Sequence, residues 1–336
     1  MTEKKRPSIP FLYKLIAGIL VFIGMFAVAL IYGAADTTAM DAWNALTSNA
    51  TGDKLSIIRE IRLPREVAAI FVGAALAIAG AVMQGITRNP LADPGLLGLT
   101  SGANAALAIA IAFIPAANYF SIMIACFIGA AVGAIMVFGI GSIKKGGLSP
   151  LRIVLAGAAV SAFLHAIAEG IGIYFKISKD VSMWTAGGII GTTWNQLQLI
   201  GPVLGAGVIV TILLSKQLTI LSLSEDVATG LGLKIKHIKI ILFIIIILLA
   251  GASVALVGNL VFIGLLVPHI VRAIVGTDYR YIIPMSGIVG AAFMLFADTL
   301  GRTINAPWET PVAAIVAMMG LPFFLFIVHK GGKQLS

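Results

Sequence analysis

Charged residues are scarce in this chain. Asp, Glu, Lys and Arg together make up 11% of its 336 residues, whereas about 25% is usual in soluble domains. Hydrophobic residues make up 59%, and the mean hydropathy is +1.04. A soluble fold would leave much of this apolar surface in contact with water, so we expect an integral membrane protein.

Cysteine is almost absent. The single Cys126 lies in an apolar run and excludes an intramolecular disulfide. We expect a buried and inert thiol, because a free cysteine usually packs as a small hydrophobic residue. Continuous apolar runs such as residues 238–258 are too long for the strands of a transmembrane barrel, so we expect an all-α protein.

Nucleotide-binding and catalytic motifs are also missing. No Gly-x-x-x-x-Gly-Lys-[Ser/Thr] phosphate loop occurs, because "GIGSIKKGG" and "HKGGKQ" both fail the spacing. The sequence contains no His-Glu-x-x-His motif and no pairing of a nucleophile with a base. We therefore expect no enzymatic activity, no cofactor and no binding of ATP through a phosphate loop.

Ten apolar segments are long enough to cross a membrane, which takes about 20 residues in a helix. They predict an all-α integral membrane protein with about ten transmembrane helices in a single domain, residues 1–336. The segments are residues 11–33, 66–84, 95–114, 119–140, 153–174, 198–215, 239–257, 260–274, 284–300 and 308–328.

Lys and Arg are enriched on the cytoplasmic side of membrane proteins. With the N-terminus inside, 16 of the 23 Lys and Arg residues fall on the cytoplasmic side and 7 on the outer side. An even number of spans then places both termini, including the tail 1–10, in the cytoplasm. The net charge of +9 reports this topology, so nucleic-acid binding need not be invoked. The seven outer residues are Lys54, Arg59, Arg62, Arg65, Lys176, Lys179 and Arg302.

Two connections between spans are too long to be simple turns. The outer one, residues 34–65, contains "DAWNALTSN", a candidate interfacial helix. The inner one, residues 216–238, contains "EDVATGLG", a short helix that Ser224 can cap and that Gly230 or Gly232 can end. A polar helix between two spans has little to pack against in its own chain, so we expect it to meet a cytoplasmic partner.

The stretch "ITRNPLADPGLLGLTSG", residues 86–102, interrupts the apolar sequence with prolines and glycines. A residue before proline favours extended backbone. Irregular backbone is tolerated at membrane depth only where protein buries it or where it lines a water-filled cavity. We expect this segment to fold back near the cytoplasmic ends of the second and third spans; a plain inner turn that only packs is the alternative.

His165 and Glu169 lie four residues apart on one face of the fifth span. Ionisable side chains inside a membrane are a functional hypothesis by default. Two ligands are too few for a metal site, so we expect no metal here. Either the pair faces a cavity, or His165 is a packing residue with satisfied hydrogen bonds.

Five segments carry a family resemblance across nearly the whole chain. They are "LPREVAAIFVGAALAIAGAVMQGITRNPLADPGLLGLTSGA" (63–103), "GLGLKIKHIK" (230–239), "GNLVFIGLLVPHIVRAIVGTDYRYIIPMSG" (258–287), "FADTLGRT" (296–303) and "ETPVAAIVAMMGLPFFLFIV" (309–328). In order and spacing they resemble the permease family of iron-siderophore and cobalamin ABC importers.

The resemblance implies a permease subunit in the bacterial cytoplasmic membrane. Its implied partners are a second permease, homologous or identical, two copies of a cytoplasmic ABC ATPase, and an extracytoplasmic substrate-binding protein or lipoprotein. The implied cargo is a ferric siderophore, with the hydroxamate type favoured and cobalamin or haem as alternatives. A secondary transporter driven by an ion gradient is the alternative from another class. It would favour paired acidic residues near the midplane, which the spans lack.

The resemblance also implies where the binding protein docks. Arg62, Arg65 and Arg302 match family positions that take acidic side chains from its two lobes, and Arg suits bidentate pairing with carboxylates. The alternatives are structural: Arg65 can extend to the membrane interface, and Asp298 can pair with Arg302 one helical turn away.

Two inner gates follow from the same resemblance. Asn89 and Leu91, with Pro90 between them, match the inner gate of the pathway between the two permeases. Ser149 and Pro150 in "GLSPLR" are a second gate candidate. The family often has two small hydroxyl residues there, so Pro150 departs from the pattern and leaves a hydrogen-bonding role in doubt.

The ATPase contact is expected on the inner connection. Because the chain lacks a phosphate loop, energy has to arrive through contact with a partner. The best-placed surface is the short helix and its end, formed by Ser224, Glu225, Asp226, Gly230, Leu231 and Gly232. A solvated loop is the alternative.

Overall fold

The computed structural model describes residues 9–33, 36–114, 118–142, 150–186 and 188–332, and within these ranges every regular element is helical. The first eight helices are α1 (Phe11–Ile31), α2 (Ala39–Thr47), α3 (Asp53–Ser56), α4 (Leu63–Thr87), α5 (Leu99–Phe113), α6 (Tyr119–Ser142), α7 (Pro150–Tyr174) and α8 (Ser178–Ala186). The others are α9 (Trp194–Leu213), α10 (Ser215–Leu223), α11 (Glu225–Gly230), α12 (Ile235–Val257), α13 (Ile263–Val275), α14 (Tyr279–Thr303) and α15 (Val312–Gly332).

Each of the ten predicted spans coincides with one of these helices. Among the described residues, seven helical stretches are long and apolar enough to cross a membrane, whereas α5, α13 and the stretch Val312–Leu325 of α15 are shorter. An all-helical membrane fold is thereby confirmed. The count of ten spans and the cytoplasmic position of both termini stay predictions, and inner and outer are used below in the sense of that predicted orientation.

Helix α4 lies at the centre of the molecule. Every residue from Ala75 to Ile86 is buried, and the helix packs against α14, α12, α13 and α9. A Cβ added to Gly80 would lie 1.9 Å from the carbonyl oxygen of Gly264 in α13. These two helices therefore touch through their backbones, which small residues permit in membrane proteins. Cys126 in α6 is buried, as predicted.

The turn-rich segment 88–98 folds back alongside α4. It contains a short 3-10 helix, Pro94–Leu97. A Cβ on Gly264 would lie 3.0 Å from Cδ of Pro94 and 3.3 Å from Cα of Gly80. Gly80 lies seven residues before the end of α4, so at a rise of 1.5 Å per residue the chain has returned about 10 Å along that helix. The expected fold-back is therefore present, and it explains why α5 is short.

A second irregular segment, residues 258–262, joins α12 to α13. It begins with Gly258 at φ +75° and ends with Phe262 at φ +70°. Such backbone is uncommon for a bulky residue and is held in place by its surroundings. α13 follows with only 13 residues, so this segment also occupies part of the membrane depth.

The two long connections contain more helix than the sequence indicated. The expected outer helix is present as α2, where Asp41 and Thr38 form a reciprocal capping box. Residues 53–62 then run through a π-helical stretch, Ile57–Arg62, directly into α4. The helix therefore extends outward beyond residue 66, where the second span was predicted to start, and the start of the span itself stays a prediction. The inner connection 216–238 is likewise mostly helical, in α10, α11 and the start of α12.

Candidate functional site

Two adjoining cavities lie among the helices. The inner cavity has a volume of about 770 Å³ and is walled by residues of the 88–98 segment, α5, α7, the 258–262 segment and α15. The outer cavity has a volume of about 620 Å³ and is walled by α5, α7, α8 and the start of α15. Both are large enough for part of a small organic ligand. The irregular segments thus lie where such backbone is tolerated at membrane depth, beside a cavity.

Four polar residues line both cavities and mark the place where they meet. They are Asn104 on α5, His165 on α7, Thr185 on α8 and Asn259 in the 258–262 segment. We call these four residues the collar. Of these four, only His165 is identified by the sequence pattern. Asn104 and Asn259 are neutral residues in mainly apolar stretches, and Thr185 is a neutral residue in the polar stretch 178–185. Only a Gly-Asn step between two spans would have pointed to Asn259.

Gly258 explains how the collar comes together. A Cβ at this position would lie 2.9 Å from the carbonyl oxygen of Thr185 and 3.1 Å from that of Trp184. Its positive φ is also readily adopted only by glycine. Glycine therefore lets the 258–262 segment approach α8 closely, and the backbone N–H of Asn259 then donates to the carbonyl oxygen of Thr185 at 3.4 Å.

Hydrogen bonds within the chain leave part of the collar unsatisfied. The hydroxyl of Thr185 lies 2.8 Å from the carbonyl oxygen of Val181 and 3.5 Å from Oδ1 of Asn104. A hydroxyl group has one proton and donates one strong hydrogen bond. The shorter bond, to Val181, therefore leaves Oδ1 of Asn104 only weakly bonded. Oδ1 of Asn259 is buried and has no hydrogen-bond partner among the described residues. An unsatisfied buried group of this kind costs about 1–3 kcal/mol.

His165 and Glu169 are brought together as the i,i+4 spacing predicted. His165 Nε2 lies 3.2 Å from Glu169 Oε1, and about two thirds of each side chain is exposed. Both line the outer cavity, and His165 also lines the inner one. The structure thus places His165 on a cavity wall and not in a packed interior. The described residues contain no group of three metal-binding side chains.

The gate candidates lie at the inner end. Asn89 Oδ1 accepts a hydrogen bond from the backbone N–H of Leu91 at 3.0 Å, and Leu91 lines the inner cavity. Pro90 is exposed and borders a separate inner pocket. Ser149 lies outside the described residues, and Pro150 begins α7. A gating role for these residues stays a prediction.

The outer arginines lie in a buried group of charges between α4 and α14. Arg65 donates from Nη2 to Asp298 at 2.8 Å and from Nη1 to Glu309 at 2.9 Å. Arg302 pairs with Glu66, and its Nε lies 3.0 Å from Asp298. The predicted alternative for Arg302, a pair one turn away on its own helix, is therefore present. We call the group the outer charge cluster: Arg62, Arg65, Glu66, Asp298, Arg302 and Glu309.

Arg62 is held mainly by neutral groups. Its Nη1 lies 2.7 Å from the carbonyl oxygen of Leu30 and 2.6 Å from Oγ1 of Thr37. Arg62, Arg65 and Arg302 are only 4%, 6% and 3% exposed. A docking role stays a prediction, and an incoming carboxylate would have to compete with partners that the chain itself supplies.

The inner helix α11 has the predicted cap. Ser224 Oγ accepts a hydrogen bond from the backbone N–H of Val227 at 3.0 Å. The helix ends at Gly230, and Gly232 follows with φ +78°. Asp226 and Leu231 are exposed. α11 thus presents a polar and partly apolar surface at the inner end, as a contact for a partner requires.

A capping contact holds α10 against the start of α14. The Thr219 hydroxyl lies 3.1 Å from Asp278 Oδ1 and accepts a hydrogen bond from the backbone N–H of Tyr279 at 3.0 Å. The side chain of Arg280 donates to the Asp278 carboxylate at 2.9 Å, and this hydrogen bond lowers the pKa of that carboxyl. Asp278 therefore stays ionised at neutral pH and keeps the helix before α11 in place.

Known proteins match the chain along almost its whole length. A profile of the FecCD transport family matches residues 19–330. The chain is 42% identical over 323 residues to the iron(3+)-hydroxamate import system permease protein FhuB of Bacillus subtilis (strain 168), covering 96% of this chain and 84% of that protein. It is 38% identical over 327 residues to the Fe(3+)-citrate import system permease protein YfmD of the same organism, covering 97% of each.

A solved structure has the same fold. It is described as an inward-facing conformation of a metal-chelate type ABC transporter, and it superposes on this chain with a TM-score of 0.83 at 26% sequence identity. The match covers 95% of this chain and 99% of that one.

Proposed function

The chain belongs to the FecCD transport family, and on that premise we propose that it carries a ferric siderophore of the hydroxamate type across the membrane. It is a permease subunit of an ABC importer and is not itself an enzyme. It is a multi-pass membrane protein whose apolar helices fit the inner membrane of a bacterium.

The composition of the cavity walls carries the proposal for the substrate class. The described residues that line the two cavities include no Lys or Arg, and apart from Asp93, His165 and Glu169 their polar side chains are neutral amides and hydroxyls. A ferric chelate with three hydroxamate groups is electrically neutral, because each group balances one charge of the ion. Its iron is already fully coordinated, so the pathway needs no metal ligands. The similarity to a permease named for iron(3+)-hydroxamate import supports the same choice.

Three kinds of partner complete the proposed importer. They are a second permease, homologous or an identical copy, two copies of a cytoplasmic ABC ATPase, and an extracytoplasmic binding protein or lipoprotein. The absence of a phosphate loop from the sequence supports a separate ATPase. The capped helix α11, with Asp226 and Leu231 exposed, is the proposed ATPase contact.

The proposed roles of the two ends follow from their position. The outer surface around Arg62, Arg65 and Arg302 would receive the binding protein. At the inner end, Asn89 and Leu91 would form the gate below the inner cavity, with Ser149 and Pro150 as its second part.

Uptake by cells tests the substrate. A strain deleted for this gene is compared with the same strain carrying the gene on a plasmid, using labelled ferric trihydroxamate, ferric citrate, ferric tricatecholate, haem and cobalamin. We expect only trihydroxamate uptake to be lost on deletion and restored by the plasmid. Loss of another substrate with normal trihydroxamate uptake would overturn the proposed substrate class.

A second experiment tests the coupling surface. Joint replacement of Glu225, Asp226 and Gly232 by alanine is expected to abolish transport and ATPase stimulation while membrane insertion stays normal. If stimulation by the loaded binding protein survives this triple change, α11 is not the coupling surface.

A further inference from the structure

We propose that the collar is a hydrogen-bonding subsite for the uncharged periphery of the transported chelate, and that Glu169 above it disfavours chelates with net negative charge. This inference rests on the proposed function, which it deepens by naming the residues that meet the cargo. The opposite side of the pathway would be supplied by the second permease.

Position is the first support. Asn104, His165, Thr185 and Asn259 come from four separate segments and are shared by both cavities. Any solute that passes from the outer to the inner cavity along this chain therefore passes these side chains. The close approach of Gly258 to the carbonyl oxygen of Thr185 fixes two of the segments relative to each other.

Unused hydrogen-bonding capacity is the second support. The Asn259 oxygen has no partner among the described residues, and the Asn104 amide has only a 3.5 Å contact with a hydroxyl that is better bonded elsewhere. In the outer charge cluster, Glu66 Oε2 and two guanidinium nitrogens of Arg302 also lack hydrogen-bond partners, but both residues belong to ion pairs within the chain. Amide and hydroxyl groups suit the amide and carbonyl groups on the surface of a hydroxamate chelate, and they bind such groups weakly enough to release them.

Charge is the third support. Glu169 lines the outer cavity, which the cargo enters first in the predicted orientation, and two thirds of its side chain is exposed there. Its nearest partner is the His165 imidazole at 3.2 Å, and the described lining holds no Lys or Arg that would attract an anion. An anionic chelate would approach this carboxylate without compensation, whereas a neutral one is unaffected.

The test uses the complete importer, with its binding protein and ATPase, in proteoliposomes. The probes are a neutral ferric trihydroxamate and the same chelate bearing one carboxylate, and their binding to the binding protein is measured first so that uptake can be corrected for it. We expect Asn259→Leu and Asn104→Ala to lower uptake of both probes about fivefold, the effect of one neutral hydrogen bond. Asn259→Ser, which keeps a polar group, should restore part of the rate.

Glu169→Gln has a different expected signature. It should raise uptake of the carboxylated chelate about fivefold relative to the neutral one, as removal of one nearby like charge predicts. The matched controls are Asn195→Leu and Glu60→Gln, which change exposed residues that line neither cavity. Stimulation of the ATPase by the loaded binding protein reports whether each variant is assembled.

The outcomes separate this inference from the function on which it rests. If the unmodified importer takes up no neutral trihydroxamate, the proposed function and the subsite are both wrong. If it does, and the assembled collar variants transport at the unmodified rate, only the subsite is wrong. If Glu169→Gln leaves the preference for the neutral over the carboxylated chelate unchanged, Glu169 does not disfavour anionic chelates.

Discussion

The outer charge cluster and the collar both gather polar side chains from segments far apart in the chain, but they use them in opposite ways. The outer cluster contains three arginines and three carboxylates, so its formal charges balance, and Arg65 and Arg302 form ion pairs with all three carboxylates. In the collar the groups are mainly neutral, and two of them lack good partners within the chain. Buried charges that neutralise one another hold helices together, whereas neutral groups without a partner keep unused hydrogen-bonding capacity.

The comparison also shows that a residue that is conspicuous in the sequence and a residue that lines a cavity need not be the same. Arginines on the outer side stand out in the sequence, yet each is held within the chain by ion pairs or by neutral acceptors. Single asparagines in apolar runs attract little notice, yet they line the cavities. A polar residue in a membrane protein is a stronger candidate for a ligand contact when its own chain leaves it without a partner.

The largest expected effect comes from breaking the outer cluster. Asp298 is fully buried and lies beside both Arg65 and Arg302. Asp298→Ala leaves two buried cations short of a partner, and removing one member of a buried pair typically costs about 3–5 kcal/mol. We expect a large drop in the thermal unfolding temperature of the purified importer. Asp180→Ala, at an exposed acid on α8, serves as the control, and equal unfolding temperatures would contradict a structural role.

Docking of the binding protein tests whether the cluster also has an external partner. Arg62→Glu is the first variant, and it removes the hydrogen bonds that the guanidinium donates to the Leu30 carbonyl oxygen and the Thr37 hydroxyl. We expect docking to weaken by about 2–5 kcal/mol if a carboxylate of the binding protein is left buried and unpaired. The loss should be much smaller if the contact lies at the solvated edge of the interface. Arg65→Glu and Arg302→Glu should also lose stability, so their docking effects are not equivalent.

Affinity is measured by titrating the substrate-loaded binding protein against the reconstituted importer at two salt concentrations. Rising salt should weaken the contact, since exposed charges are screened over about 8 Å at physiological ionic strength. Lys179→Glu, at an exposed outer residue, is the control. Unchanged affinity in all three arginine variants would leave these residues with a purely structural function.

A smaller effect is expected from a substitution that disturbs the collar. Gly258→Ala places a methyl group 2.9 Å from the carbonyl oxygen of Thr185 at a positive φ, and overpacking of this kind costs about 1–3 kcal/mol. We expect reduced uptake, because Asn259 moves away from the rest of the collar. Gly205→Ala, whose Cβ would meet nothing within 4 Å, should transport normally, and equal uptake by both variants would show that collar geometry does not matter.

The smallest effect concerns a site remote from both regions. Ser224→Ala removes the side-chain acceptor of the Val227 N–H, and loss of a helix cap costs about 1 kcal/mol. Faster hydrogen exchange in α11 and weaker ATPase stimulation are expected, with collar selectivity unchanged. Ser224→Thr keeps the acceptor and should behave as the unmodified chain. A shift in selectivity would show that the inner end and the collar are coupled.

Local sequence patterns predicted much of this molecule. Apolar runs located the ten helices, and Ile57–Arg62 continues the helix of the second span outward beyond the predicted segment. Ser224 was identified as a cap, and the i,i+4 spacing brought His165 and Glu169 together. Each of these features depends on residues within a few positions of one another. Apart from His165, the collar was missed because Asn104, Thr185 and Asn259 are neutral residues with no local pattern.

The sequence by itself determined the membrane class, the helical segments and the absence of a phosphate loop, because solvation by lipid and short-range periodicity act on each segment independently. Only the tertiary structure decided which charges are paired and which polar groups stay open. Arg65 and Asp298 are 233 residues apart, and they form an ion pair only because α4 packs against α14. Likewise, Asn259 lines the cavities only because Gly258 lets its segment approach α8.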